Sequence, residues 1–216
     1  MKSIQAKPNW SKQELALLKT LHTPALIQKF LDAVPYSSES IYRSPRSVLR
    51  DGKAHCFDGA VFAAACLERI GYPPLILELK AVRDDDHLMA LYRIDSCWGA
   101  VAKSNFVGLR YREPIYRSLR ELAISYFSSF FNVESQKTLR AYSAPLKLAR
   151  FEHWNWWFND EAMDRIAEKL DNGRHYALLS ARQIACLVAV DPRTYQGEMT
   201  GTDPTGLYRP VKKSGG

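Results

Sequence analysis

The chain has 216 residues, a net charge of +7 from 30 Lys+Arg against 23 Asp+Glu, and 46% hydrophobic and 25% charged residues. That usage is close to the soluble globular average and excludes a disordered chain, a collagen-like rod or a coiled coil. No run reaches the roughly 18 apolar residues that span a bilayer, and the length suits one fair-sized domain whose core needs no crosslinks.

Residues 10–34 read as helix: Ser11 and Glu14 make a capping box, Trp10 and Leu15 a hydrophobic staple, and Leu15, Leu18, Leu21, Leu26, Phe30 and Leu31 recur at helical spacing. Pro24 divides this segment, with Thr23 capping the second helix. Residues 35–54 carry Pro35 and Pro45 and read as an irregular connection. CFDGAVFAAACLERI, from Cys56 to Ile70, is Ala-rich and predicts a buried helix stopped by Gly71 and Pro73–Pro74. Strands follow over 75–82, 87–94 and 98–103, separated by the acidic turn Asp84–Asp86 and a tight turn at Asp95–Cys97. Residues 115–131 predict a helix with an Ile115, Leu119, Leu122, Tyr126 and Phe130 stripe. FEHWNWWF (151–158) is too short to assign, and its Trp154, Trp156 and Trp157 read as sealing the core. Residues 160–170 read as helix, 175–191 as a helical turn followed by a strand through Cys186–Val190, and 191 onward as turns and a frayed tail. The fold class so read is α+β, one domain over 1–190 with a helical N-terminal extension and a turn-rich tail over 191–216.

The four cysteines, Cys56, Cys66, Cys97 and Cys186, are unequally spaced with no CxxC pair. Neither a disulfide framework nor a zinc site follows, and no motif calls for a cofactor. The N-terminus has no apolar core behind Lys2, so the sequence points to a cytoplasmic protein. The basic clusters Arg43, Arg46, Arg50, Lys53 and Arg110, Arg112, Arg117, Arg120 form no stripe interleaved with aromatics. Neither a nucleic acid nor a membrane is the expected partner; the charge favours an anionic end on a peptide, protein or small amide substrate.

One constellation carries chemistry. A thiolate is stabilised at a helix start by unpaired N–H groups and the dipole, and Cys56 has that placement. Cys66 and Cys186 read as buried packing. His87 heads the next strand but one and is the candidate base, with Asp84–Asp86 beside it to stabilise an imidazolium. A hairpin centred near Ser96 gives partner numbers summing to about 192, which sets Asn105, or Ser104 on a register slip, opposite His87. Asp95 has better chemistry as an orienter but lies about 26 Å along an extended strand. The candidate triad is Cys56, His87 and Asn105, with Asp95 as fallback. Arg112–Glu113 before Pro114 reads as a structural ion-pair corner.

Gly52, Cys56, Ala60, Leu67 and Gly71–Tyr72–Pro73, followed by His87 and the Trp98–Gly99 strand, resemble the transglutaminase-like superfamily over about residues 50–106. A bacterial branch of it is similar to about residue 150. The resemblance implies a papain-like core, with the cysteine helix packed on an antiparallel sheet, and a cysteine peptidase, amidase or acyl transferase acting through a Cys56 thioester. Asn105 stands where the family has an aspartate and supplies no negative charge. The departure leaves an alternative open, a catalytically weak or inactive binding domain, for which Cys56 would be unreactive and no imidazole within reach.

Overall fold

The computed structural model describes residues 10–209. Ser11 caps α1 (Lys12–Thr20) in the expected capping box with Glu14, and Thr23 caps α2 (Pro24–Ala33). The connection that follows holds one short helix, α3 (Pro45–Asp51), ended by Gly52 at φ +63°. The Ala-rich segment is α4 (Cys56–Arg69), buried from Phe57 to Leu67, and Gly71 at φ +97° turns the chain out of it.

The strands β1 (Leu75–Ala81), β2 (His87–Ile94) and β3 (Cys97–Val101) form the centre of an antiparallel sheet. It is completed by β4 (Arg112–Tyr116), β5 (Leu139–Ser143), β6 (Leu146–Lys147) and β7 (His175–Ala177). The order is β4-β3-β2-β1-β5-β7, with β6 also pairing with β1. Strand alternation divides the side chains between two cores. Ile76, Leu88, Ala90, Tyr92 and Val101 meet α4, while Leu77, Leu79, Met89, Leu91 and Ala100 meet Leu122, Ala123, Tyr126 and Phe130 on the other face. Trp10 and Trp156 are buried in the first core, with Trp154 and Trp157 against it.

Three expectations are corrected. Residues 115–131 are not one helix: Pro114 belongs to β4, Ile115 is 65% exposed, and Ser118 caps the short α5 (Leu119–Ile124). A strand with one solvated face outcompetes the apolar stripe once β3 offers it a ladder. Residues 175–190 run in the reverse order, strand β7 and then α7 (Ala181–Ala185) capped by Ser180, and Cys186 is exposed. The segment after Asp191 holds α8 (Pro192–Glu198) and packs on the domain: Tyr195 meets the Phe131 ring and Glu198 accepts from the Gly108 N–H. α6 (Glu161–Asp171) lies where expected. No helix among the described residues is long and apolar enough to cross a membrane.

α4 approaches the segment just after β3 closely at one point. A Cβ on Gly59 would lie 2.2 Å from Lys103 Cβ and 3.4 Å from its backbone Cα. Lys103 is itself buried, its ammonium donating to the carbonyls of Leu31 and Val34 at the end of α2. Gly59→Ala is therefore expected to cost on the order of 1–3 kcal/mol through overpacking. A urea midpoint equal to that of the unsubstituted chain would contradict this close packing.

Candidate functional site

The site is built around the first turn of α4. His55 is the N-cap: its Nδ1 accepts from the N–H of Phe57 at 3.2 Å and of Asp58 at 3.5 Å, while its Nε2 donates to the Ile41 carbonyl at 3.0 Å. Asp58 closes the capping box by accepting from the His55 N–H at 3.2 Å. Fully buried, it also accepts from the Arg43 N–H at 2.7 Å and the Arg43 guanidinium at 3.4 Å. Burial holds its carboxyl above the ordinary range, against the pull of His55 and Arg43. Arg43 is buried too and bonds Glu39, Asp51 and Ser37 besides. This network fixes the 36–43 loop against the helix start. Between that loop, α4, the 84–88 turn, the 104–106 loop and residues 205–208 lies a cleft of about 590 Å³.

Cys56, the first residue of α4, is half-buried on the cleft wall. Its thiol donates to the Asp86 carbonyl at 3.6 Å. Burial, reinforced by the nearby carboxylates of Asp85 and Asp58, pushes the thiol up to about 12; the N–H groups of Leu88 and Phe57 oppose the shift. The expected helix-start effect is present and is outweighed.

His87 also lines the cleft but belongs to the other core. It pairs with Leu79 across the sheet, shares the Met89 and Leu91 face, and packs on the Tyr126 and Phe130 rings. Its Nε2 donates to the Leu109 carbonyl at 2.7 Å, so the ring carries its proton there. Burial lowers its pKa to about 4. The α4 face of β2 is taken by Leu88. Asn105 is turned to a third partner: its Nδ2 donates to the Asp203 carbonyl and its Oδ1 accepts from the Asp203 N–H, each at 2.8 Å. The structure gathers Cys56, His87 and Asn105 around one cleft, but no hydrogen bond among the described residues joins any two of them.

The register explains Asn105. Asp95 and Ser96, at φ 47° and 67°, make a two-residue hairpin turn, and Ile94 pairs with Cys97. The ladder ends at Ala90–Val101, so no strand pairing sets Asn105 opposite His87. Asp95 sits at the opposite end of β2. The acidic turn does not serve the imidazole either: Asp84 accepts from Thr138 Oγ1 at 2.7 Å and Asp86 from the Ala81 N–H at 2.8 Å. Arg112 stacks over the Tyr126 ring at 3.8 Å and donates to Gly108 and Ser125, a structural corner. The Asn105–Asp203 pair, 98 residues apart, leaves no local signal in the sequence.

Glu78, Asp86 and Asp171 bring one oxygen each within 4.8 Å of one another, a spacing that suits a cation. The Lys80 ammonium already bonds Asp86, reaches Asp171 at 3.2 Å and lies 3.7 Å from Glu78 Oε2, the oxygen that His175 Nε2 also meets at 2.9 Å. The space between the three carboxylates is taken by the protein's own ammonium.

No family model matches the sequence, and the search of curated proteins found no match. Among solved structures, LapG of Legionella pneumophila aligns over 70% of this chain and 84% of that chain, at a TM-score of 0.40 and 13% identity. A likeness at that level carries no assignment of activity, which rests on the residues themselves.

The environment of His87 has a pH consequence. Its ring stays neutral in the fold down to about pH 4, while the unfolded chain binds a proton near 6.5. Its contribution to stability is therefore present above about pH 6.5 and lost as the pH falls toward 4, by ~3 kcal/mol across the window. Urea denaturation of the native chain and of His87→Leu at pH 7 and pH 4.5 is expected to show a shallower acid loss in the variant. Equal losses would contradict a neutral, buried imidazole.

Proposed function

We propose that the chain is a binding domain of transglutaminase-like architecture, whose cleft takes a ligand without using Cys56 as a nucleophile. One observation carries this reading: the His87 ring is spent on the Leu109 carbonyl and packed on the Tyr126 and Phe130 rings, and no hydrogen bond among the described residues joins it to the Cys56 thiol. A cysteine nucleophile needs a thiolate, and burial with the Asp85 and Asp58 carboxylates nearby pushes the Cys56 thiol up to about 12, which disfavours ionisation at pH 7. His55, the other imidazole at the cleft, is committed through both ring nitrogens to capping α4 and to Ile41.

A second reading, a cysteine-dependent amide hydrolase or acyl transferase, keeps one feature in its favour: the Cys56 sulfur sits at the first turn of α4 with the N–H groups of Phe57 and Leu88 toward it. That arrangement suits an oxyanion or thiolate. It requires a base to reach the sulfur, and the first side chain on β2 that faces α4 is Leu88.

The two readings separate on thiol reactivity. With iodoacetamide and mass mapping, exposed Cys186 is expected to react first at pH 7, and the Cys56 rate to climb about tenfold per pH unit up to at least pH 10. A Cys56 rate that levels off below pH 8 would overturn the binding-domain reading in favour of the enzyme.

A further inference from the structure

The chain's own 203–208 segment borders the cleft: residues 205–208 line it, and Asp203 lines the adjoining cavity, beside Lys103 and Arg110. Asn105 uses both ends of its amide on the N–H and C=O of a single residue, Asp203. Such a two-point pairing reads backbone and not side chain; the Asp203 carboxylate turns away to the Thr205 N–H and hydroxyl at 2.9 and 2.7 Å. Beyond it, Gly206 lies against the Tyr36 ring, where a Cβ would fall 2.6 Å from a ring carbon, and residues 205–208 line the cleft that Cys56 also lines. The segment is held lightly: Thr205 is exposed and Gly206 to Tyr208 are half-buried.

The charge of the cleft is opposite to that of the chain. Its walls include Glu39, Glu78, Asp84, Asp85, Asp86 and Asp171 and, among the described residues, no lysine or arginine. Glu39 is answered by Arg43 and Lys53, and Glu78, Asp86 and Asp171 share Lys80. The Asp85 carboxylate has no hydrogen bond or ion pair among the described residues, and it lies close enough to raise the Cys56 thiol. A chain of net charge +7 thus presents a negative cleft. This charge favours a cationic ligand over the anionic one expected from the sequence. The sequence after Tyr208 is complementary, with Arg209, Lys212 and Lys213 and no acid, residues 210–216 lying outside the described part.

We propose that the cleft binds an extended peptide bearing cationic side chains, pairing with its backbone through Asn105, and that the chain's own 203–208 segment occupies this arm until such a peptide displaces it. The proposal rests on the binding-domain reading of the cleft and names its ligand class. A half-buried strap joined by one amide pair competes weakly, so a partner gains by its cations and by the low dielectric of the cleft.

The test uses the full chain and a fluorescein-labelled peptide of sequence DPTGLYRPVKKSGG, followed by anisotropy at low salt. Gly206→Val drives a side chain into Tyr36 and expels the strap; Asp203→Pro removes the N–H that donates to Asn105 and is an independent way to free the arm. Each is expected to bind the peptide at least tenfold more tightly than the native chain. Adding Asn105→Ala to either is expected to lose that gain. A peptide carrying Arg209→Glu, Lys212→Glu and Lys213→Glu is expected to bind at least tenfold more weakly, with the difference shrinking as salt rises. Binding no tighter in both freed chains, or unaffected by Asn105→Ala, would overturn the proposal; equal binding of the charge-reversed peptide would overturn its cationic class. Cleavage of the bound peptide that Cys56→Ala abolishes would support the ligand class and overturn the non-catalytic reading instead. No binding together with an unreactive Cys56 would do the reverse.

Discussion

Successive side chains of a β-strand point to opposite faces, and the two cores of this protein depend on how β2 obeys that rule. Leu88, Ala90 and Tyr92 go to α4; His87, Met89 and Leu91 go to the Tyr126 and Phe130 side. Shifting the strand by one residue would exchange every one of these contacts, so the buried leucines on both faces lock the register. His87 is carried along by that lock. Its ring is delivered to an apolar core, where the neutral form bonded to Leu109 is the stable one, and the thiol on the other face is left with carbonyl and carboxylate neighbours that keep its proton on.

The second constraint is the buried Asp58. A carboxylate with no exposure is costly unless its lone pairs are filled. Here the His55 N–H, the Arg43 N–H and the Arg43 guanidinium fill them. One side chain thereby joins the start of α4 to the loop that forms the opposite wall of the cleft. The same network disposes of the basic cluster that stands out in the sequence. Arg43 is spent on Glu39, Asp51 and Asp58, Arg46 on Glu14, Arg50 on Asp51 and Lys53 on Glu39. The excess of positive charge is therefore a property of the whole surface, while the cleft has the opposite sign.

α1, α2, α4 and the first three strands were legible from caps, periodicity and turn residues because their determinants are local: Ser11 with Glu14, Thr23 before Pro24, Gly71 after an Ala-rich run; α3 lay inside the segment read as an irregular connection. Cys56 at a helix start was legible for the same reason. The face taken by His87 was not, because alternation assigns it only once Leu88 and Met89 are known to bury on opposite sides. Both residues are apolar, so the pattern at the head of the strand is silent. Asn105 was assigned from a hairpin register that the sheet abandons after Ala90–Val101, and its partner Asp203 lies in a segment read as frayed. The helix expected over 115–131 failed at its start, where Arg112 and Tyr116 pair with the edge of β3 and hold Ile115 in the strand between them.

The central claim is that residue 87 and Cys56 lie on opposite faces of β2. A disulfide needs Cβ atoms about 3.5–4.5 Å apart. In a chain carrying His87→Cys with Cys97→Ser and Cys186→Ser, mild oxidation followed by mass mapping reads the geometry directly. The account predicts that positions 56 and 87 stay unlinked; a 56–87 disulfide formed in high yield would contradict it.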